Sequence, residues 1–389
     1  MRALRSKKEK CFGTPYTDRR ADERGKNMEI LTEGTRDAQG EWNPKELPKP
    51  GVLFRNPLEW REILKSFFGP QGSLIRTAKF LALTALVWYF LTPSLEQTTT
   101  LRVGWILLVY LRNVVLVTVI AGRLHWRLYV RKVQGMKYKY TPRWQATNDK
   151  KFMFGNQTWD NIFFSLVSGC GIWTAYEVLL LWGWANGVFP MLSLMNDGVL
   201  DVSNLILIVA VLLFVIPWYQ QAHFYFTHRL IHWKPLYKIS HYVHHRNINF
   251  GPWSGLSMHP IEHIIFFSDA LTFLLIPVHP LVVMFMLIGR GIGPAGGHAG
   301  YHAFVRESSD GEEKPMRRLL YWGRGADFMH HLHHRYFTVN FGNLGFALDK
   351  LLNTFHDGSP EAHQTMLAHR KAKAKKSRRN KGLAATAEG

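Results

Sequence analysis

Four short stretches hold most of the side chains in this 389-residue chain that are suited to chemistry: His228-Arg-Leu-Ile-His232, His241-Tyr-Val-His244-His245, His298-Ala-Gly-Tyr-His302 and His330-His-Leu-His333-His334. Two boxes have i, i+4 spacing and two have i, i+3, i+4, so a pair followed by a triplet occurs twice. On a helix these intervals bring imidazoles to one face, within reach of a shared ion. Ten imidazoles exceed the needs of one ion, so the pattern predicts two metals with about five nitrogen ligands each. A donor set of nitrogen alone suits zinc, copper, iron or nickel. A closed structural zinc site needs four ligands, and neither Glu-x-x-His nor His-Glu-x-x-His occurs in the chain. A lone His-x-x-x-His pair is an ordinary feature of solvated helices, but four boxes in succession are not. His331 breaks the triplet spacing and is expected not to touch metal; His223 is left unassigned, and His279, in the Pro277-Val-His-Pro280 bend, is expected to be structural. Only Cys11 and Cys170 are present, too few for a disulfide framework or a thiolate site.

These boxes need elements to position them. Four apolar segments precede or reach the first box, each close to the roughly 20 residues needed to cross a bilayer: Leu74–Leu91, Val103–Ala121, Ile162–Ala185 and Val199–Trp218. Arg112 lies in the second and Glu177 in the third, so a buried partner is expected for Arg112. The connector after the second segment carries Arg123, Arg127, Arg131, Lys132, Lys137, Lys139, Arg143, Lys150 and Lys151, whereas residues 93–100 and 186–198 contain no Lys or Arg. The positive-inside rule then places that connector, both termini and the histidine boxes on the cytosolic side. Residues 264–292 are apolar but broken by Pro277 and Pro280, which favours a membrane-associated hairpin over a full span.

The expected fold is all-α: a multi-pass membrane protein of about four transmembrane helices with a cytosolic helical cap bearing the boxes. Its divisions are a disordered polar region (1–56), the transmembrane helices (57–222), a histidine-box domain (223–357) containing the 264–292 hairpin, and a flexible basic tail (358–389). The net charge of +20 fits a membrane surface better than nucleic acid, given the long aromatic-rich apolar runs.

Over roughly residues 200–356 the chain resembles the fatty acid hydroxylase / sterol desaturase superfamily of integral membrane di-iron enzymes. The resemblance rests on the four boxes together with His259-Pro-Ile-Glu262, Asn340-Phe-Gly342 and Asp349. It implies two non-haem iron ions held by His228, His232, His241, His244, His245, His298, His302, His330, His333 and His334. It also implies O2 as co-substrate, oxidation of a lipid C–H bond by hydroxylation or desaturation, and a location in the endoplasmic reticulum. Electrons would come from a separate cytochrome b5-type donor with its NAD(P)H reductase, since no His-Pro-Gly-Gly haem motif occurs in the chain. Asp327, Glu262, His259 and Asn340 are candidates for orienting the ligands, with helix capping the competing role for Asp327. Three details depart from the family pattern: Asn340-Phe341-Gly342 stands for Asn-Tyr-Gly, Leu352-Asn353-Thr354 for Phe-Gly-Thr, and Gly251–His259 lacks a Thr-Pro-rich stretch.

A sterol is the leading substrate expectation, with a fatty acyl or sphingolipid chain as the alternative. A His-rich metal transporter would carry its histidines inside the apolar passes. A zinc-dependent lipid hydrolase would need fewer ligands.

Overall fold

The computed structural model describes residues 33–70, 72–307, 313–315, 326–342 and 347–387. Helices dominate, and the strands among the described residues form only short two-stranded hairpins. Helix α1 (Trp60–Phe68) has apolar residues at 60, 63, 64, 67 and 68, the repeat of a one-sided helix. Ile63 is buried and Phe67 packs on Phe214, while Trp60, Leu64 and Phe68 remain exposed.

Four long apolar helices follow: α2 (Ser73–Leu91), α3 (Val103–Val130), α4 (Gln157–Ala185) and α5 (Val202–Ile231). At 30 residues α5 is about 45 Å long, longer than a hydrocarbon core of roughly 30 Å. That length leaves room for its last turns, which carry the first box, to lie beyond the hydrocarbon. Arg112 on α3 finds the partners its burial requires. It makes an ion pair with Glu177 of α4, donates to Asn113 Oδ1 from Nε (3.2 Å) and Nη2 (2.9 Å), and donates to Thr92 Oγ1 at 2.9 Å.

The expected hairpin at 264–292 becomes α6 (Pro260–Phe266), a 3₁₀ stretch at Ser268–Leu274, and α7 (Pro280–Gly297). The break falls at Pro277–Pro280 because proline ends one helix and starts the next, and His279 Nδ1 caps α7 by accepting from the Leu281 N–H at 3.1 Å. Among the described residues there are thus five helices long and apolar enough to cross a membrane, one more than the four expected. In α7, however, 78% of the apolar window is buried in the protein, against 17% in α5. The chain's own helices surround α7, and it forms the central wall behind the histidines.

Two termini differ from expectation. Residues 33–56 are ordered: strands β1 (Gly34–Arg36) and β2 (Trp42–Pro44) form a hairpin docked on the cap. Arg36 Nη2 donates to Met136 O at 2.6 Å, Trp42 N–H to Tyr140 O at 2.8 Å, and Asp37 pairs with Arg335 at 3.0 Å. These backbone and charge contacts are joined by isolated apolar ones, such as Trp42 edge-on to Tyr138 at 5.5 Å, which leave no hydrophobic periodicity in the sequence. The disorder expected of residues 1–32 lies outside the described residues. The basic tail is helical: after α8 (Phe328–Tyr336), α9 spans Pro360–Ala387 and is tied back by Arg370 Nη2 donating to Arg335 O at 2.9 Å.

Candidate metal centre

The end of α5 carries His228, with His232 at its C-cap. A π turn, Tyr237–His241, leads directly into the short helix Tyr242–His245 and delivers the second box. His298 follows the last turn of α7, and α8 carries the fourth box. Asp327 starts α8 by accepting the N–H groups of Met329 (2.9 Å) and His330 (3.3 Å).

Nine imidazoles converge in two groups. His228, His232, His241, His245 and His333 form the first; His244, His298, His330 and His334 form the second. In the first, the Nε2 atoms of His232, His245 and His333 make a triangle with sides of 3.1, 3.0 and 3.1 Å, and His228 and His241 approach to 3.1 Å. In the second, Nε2 atoms close a four-membered ring: His244 to His298 3.3 Å, His298 to His330 2.8 Å, His330 to His334 3.1 Å and His334 to His244 3.1 Å. Donors about 3 Å apart are close enough for one ion to reach each of them at the ordinary metal–imidazole length of about 2.1 Å.

The two triplets are divided in opposite senses. His241 and His245 enter the first group and His244 the second, whereas His330 and His334 enter the second and His333 the first. Each triplet gives its i, i+4 pair to one group and its i+3 member to the other.

The outer ring nitrogens hold the inner ones in place. Nδ1 of His228 lies 2.6 Å from Phe341 O, that of His333 2.7 Å from Val339 O, and that of His298 3.0 Å from Pro294 O. His241 Nδ1 is 2.7 Å from Glu262 Oε1. A proton on Nδ1 directed at an oxygen leaves the Nε2 lone pair facing inward. Burial, reinforced by neighbouring imidazoles, holds His241, His244, His245, His330, His333 and His334 well below the usual histidine range. Burial likewise lowers His298 to about 4 and His232 to about 2. Both groups are therefore neutral at pH 7, the protonation state that binds metal.

The family model described as fatty acid hydroxylase matches residues 211–354, the segment that supplies all nine imidazoles. Over residues 211–354 the chain is thus similar to the fatty acid hydroxylase family. The chain is 25% identical over 135 residues to the Delta(7)-sterol 5(6)-desaturase ERG3 of Candida albicans, covering 34% of this chain and 30% of that protein. It is 29% identical over 164 residues to the methylsterol monooxygenase erg25A of Aspergillus fumigatus, covering 39% and 48%. The chain thus spans only 30% to 48% of the length of these curated relatives. No solved structure matches it.

Within the matched segment, His302 is the one predicted ligand outside both groups. Its Nδ1 is 3.4 Å from the Tyr140 hydroxyl instead. His331 is also outside: it stacks on Tyr140 at 4.5 Å and lies 3.4 Å from Glu41 Oε2. Of the proposed orienting residues, Glu262 contacts a cluster imidazole, whereas the other three contact backbone. Asp327 caps α8, and His259 caps α6 by accepting the Ile261 N–H at 3.2 Å. Asn340 donates to His356 O at 3.0 Å and accepts from the His356 N–H at 2.8 Å. Asp349 was named only as part of the family pattern. It accepts from the N–H groups of Phe341 (2.9 Å) and Gly342 (2.8 Å), fixing the loop whose carbonyl meets His228.

A cavity of about 690 Å³ adjoins the centre. Phe80, Leu212, Ile216 and Phe285 line its apolar part, and His228, His241, His244, His298 and His330 line the other.

Proposed function

We propose that this chain is a membrane oxidoreductase that hydroxylates or desaturates a lipid at an unactivated C–H bond. The observation that carries this reading is that two adjacent all-imidazole groups wall a cavity which continues between apolar helices. The convergent lone pairs, neutral imidazoles and 3 Å spacing fit two divalent metal ions, one per group. When bound, iron at these positions would supply the redox chemistry for O2 to oxidise the substrate. The protein's part is to hold the imidazoles in register, to keep their protons on the outer nitrogens, and to exclude water from the apolar end. A sterol is the preferred substrate class, supported by the names of both relatives. An acyl chain is the alternative kept open by the family's name. A cytochrome b5-type donor with its NAD(P)H reductase would deliver electrons to the cap. The basic connector and the positive-inside rule support a cytosolic cap, and sterol-pathway relatives support the endoplasmic reticulum.

The test is metal analysis of the purified protein joined to an O2-dependence assay in membranes. Two irons per chain and lipid oxidation that stops without O2 are expected. Stoichiometric zinc with O2-independent turnover would overturn the reading. Comparing the sterol and acyl profiles of cells with and without the protein then separates the two substrate classes.

A further inference from the structure

Helix α5 faces the cavity along a single stripe that includes Leu212, Ile216, Gln220, Gln221, Phe224 and His228, the spacing of one helical face. Gln220 and Gln221 are out of place there, because α5 is the most apolar of the five spans. An amide buried in such a segment costs free energy unless it is hydrogen-bonded or used. Gln220 is accounted for: its Nε2 donates to Asp269 Oδ2 at 3.0 Å, and Asp269 is also paired with Arg290 at 3.0 Å. Gln221 is not. Its Oε1 is buried and has no hydrogen-bond partner among the described residues. Among the cavity-lining residues only one other side-chain oxygen or nitrogen shares that condition, Oε2 of Glu262, whose first oxygen is held by His241. Gln221 Oε1 is an acceptor. The donors elsewhere in the lining, on Ser73, Arg76 and Thr77, do not reach it, which leaves a ligand in the cavity to bring one.

We propose that the cavity selects a lipid carrying a hydroxyl group, and that Gln221 Oε1 accepts the hydrogen bond from it, making Gln221 a specificity-determining residue. Gln221 precedes His228 by two helical turns on the same face, about 10 Å along the axis. It therefore touches the body of the ligand and stands clear of the metal ligands, unlike Glu262. The proposal rests on the lipid-oxidase reading for its relevance to catalysis, but the contact itself is a matter of binding.

Equilibrium binding to the purified protein in nanodiscs tests it, using two matched pairs of radiolabelled probes: cholesterol with 5-cholestene, and octadecanol with octadecane. The wild type should prefer the hydroxylated member of at least one pair, and that pair reports whether the carrier is a sterol or a linear chain. Gln221→Leu should weaken binding of that hydroxylated probe by about 5- to 10-fold, leave its apolar partner unchanged, and so erase the preference. Gln221→Asn, which keeps an acceptor, should retain part of it. Unchanged affinity for the apolar probe shows that the variant is folded. Equal binding within both pairs by the wild type, or a preference that survives in Gln221→Leu, overturns the proposal. Absence of any oxidised product in the iron-loaded, reduced system, with the binding preference intact, would refute the oxidase reading and leave this contact standing.

Discussion

His241 and Glu262 make the one direct contact between a carboxyl group and a cluster imidazole among the described residues, Nδ1 to Oε1 at 2.7 Å, with both side chains buried. Burial pushes the Glu262 carboxyl up and the His241 imidazole down, so neither carries its charge cheaply alone. The contact fixes which nitrogen of His241 faces the first group.

Losing that acceptor frees the ring to rotate and removes the oxygen that holds its proton. Glu262→Ala should weaken metal binding at the first group by roughly 10- to 100-fold, while Glu262→Gln, which keeps an oxygen acceptor, should lose less. Competition with a graded series of chelators measures this. An alanine variant that holds metal like the wild type would show that the contact is only packing.

The spacing of the boxes made the convergence of nine of the ten imidazoles legible, but not their division between the two groups. A triplet at i, i+3, i+4 says that three imidazoles share a face. That the i+3 member crosses to the other group depends on how α8 meets the Tyr242–His245 turn, which is a tertiary fact. The carbonyls of Phe341, Val339 and Pro294 were invisible for a different reason: every residue has one, and only the fold selects these three. His302 had the right spacing, yet it follows α7 on an irregular chain segment where i, i+4 no longer implies one face. Hydropathy found four spans and discounted α7, because the proline break hides a helix whose apolar character serves the protein core.

The crossed allocation has a measurable consequence. His245→Ala with His333→Ala removes two ligands from one group and should cost one metal equivalent per chain. His333→Ala with His334→Ala removes one from each and should weaken both ions together. His302→Ala should leave the metal content unchanged. Mass-spectrometric metal counting on gel-filtered protein distinguishes these outcomes, and equal losses from both double variants would refute the division into groups.

Buried neutral histidines also make the metal-free protein sensitive to acid. Outside the ligand set, burial lowers His263 to about 3 and His302 to about 4, against an unfolded value near 6.5. Above about pH 6.5 both states are unprotonated and stability is flat. Below it the unfolded chain takes up protons that the folded chain refuses, so stability falls as pH drops from about 6.5 towards 4. Thermal unfolding of the chelator-treated protein between pH 7.5 and 4.5 should show a midpoint that declines steadily below 6.5. A midpoint constant down to pH 5 would contradict it.

Arg112 and Glu177 test the membrane region independently of the metals. Their side chains are 4% and 0% exposed, so removing one leaves a buried charge with only neutral partners. Arg112→Leu alone and Glu177→Leu alone should each destabilise by about 3–5 kcal/mol, whereas the double variant should lie near the wild type, because it removes the desolvation penalty along with the attraction. Asn113 and Thr174 sharpen the expectation for the first of these. They are joined at 3.2 Å, and Asn113 Nδ2 reaches Glu177 Oε1 at 3.4 Å, so the carboxylate keeps one weak donor when Arg112 is lost. Glu177→Leu should therefore be the more damaging single change, since Arg112 would retain only the oxygens of Asn113, Thr92 and Leu91, none of them charged. Denaturant unfolding in detergent micelles gives all four free energies, and additive single and double losses would show that the two residues do not act as a pair.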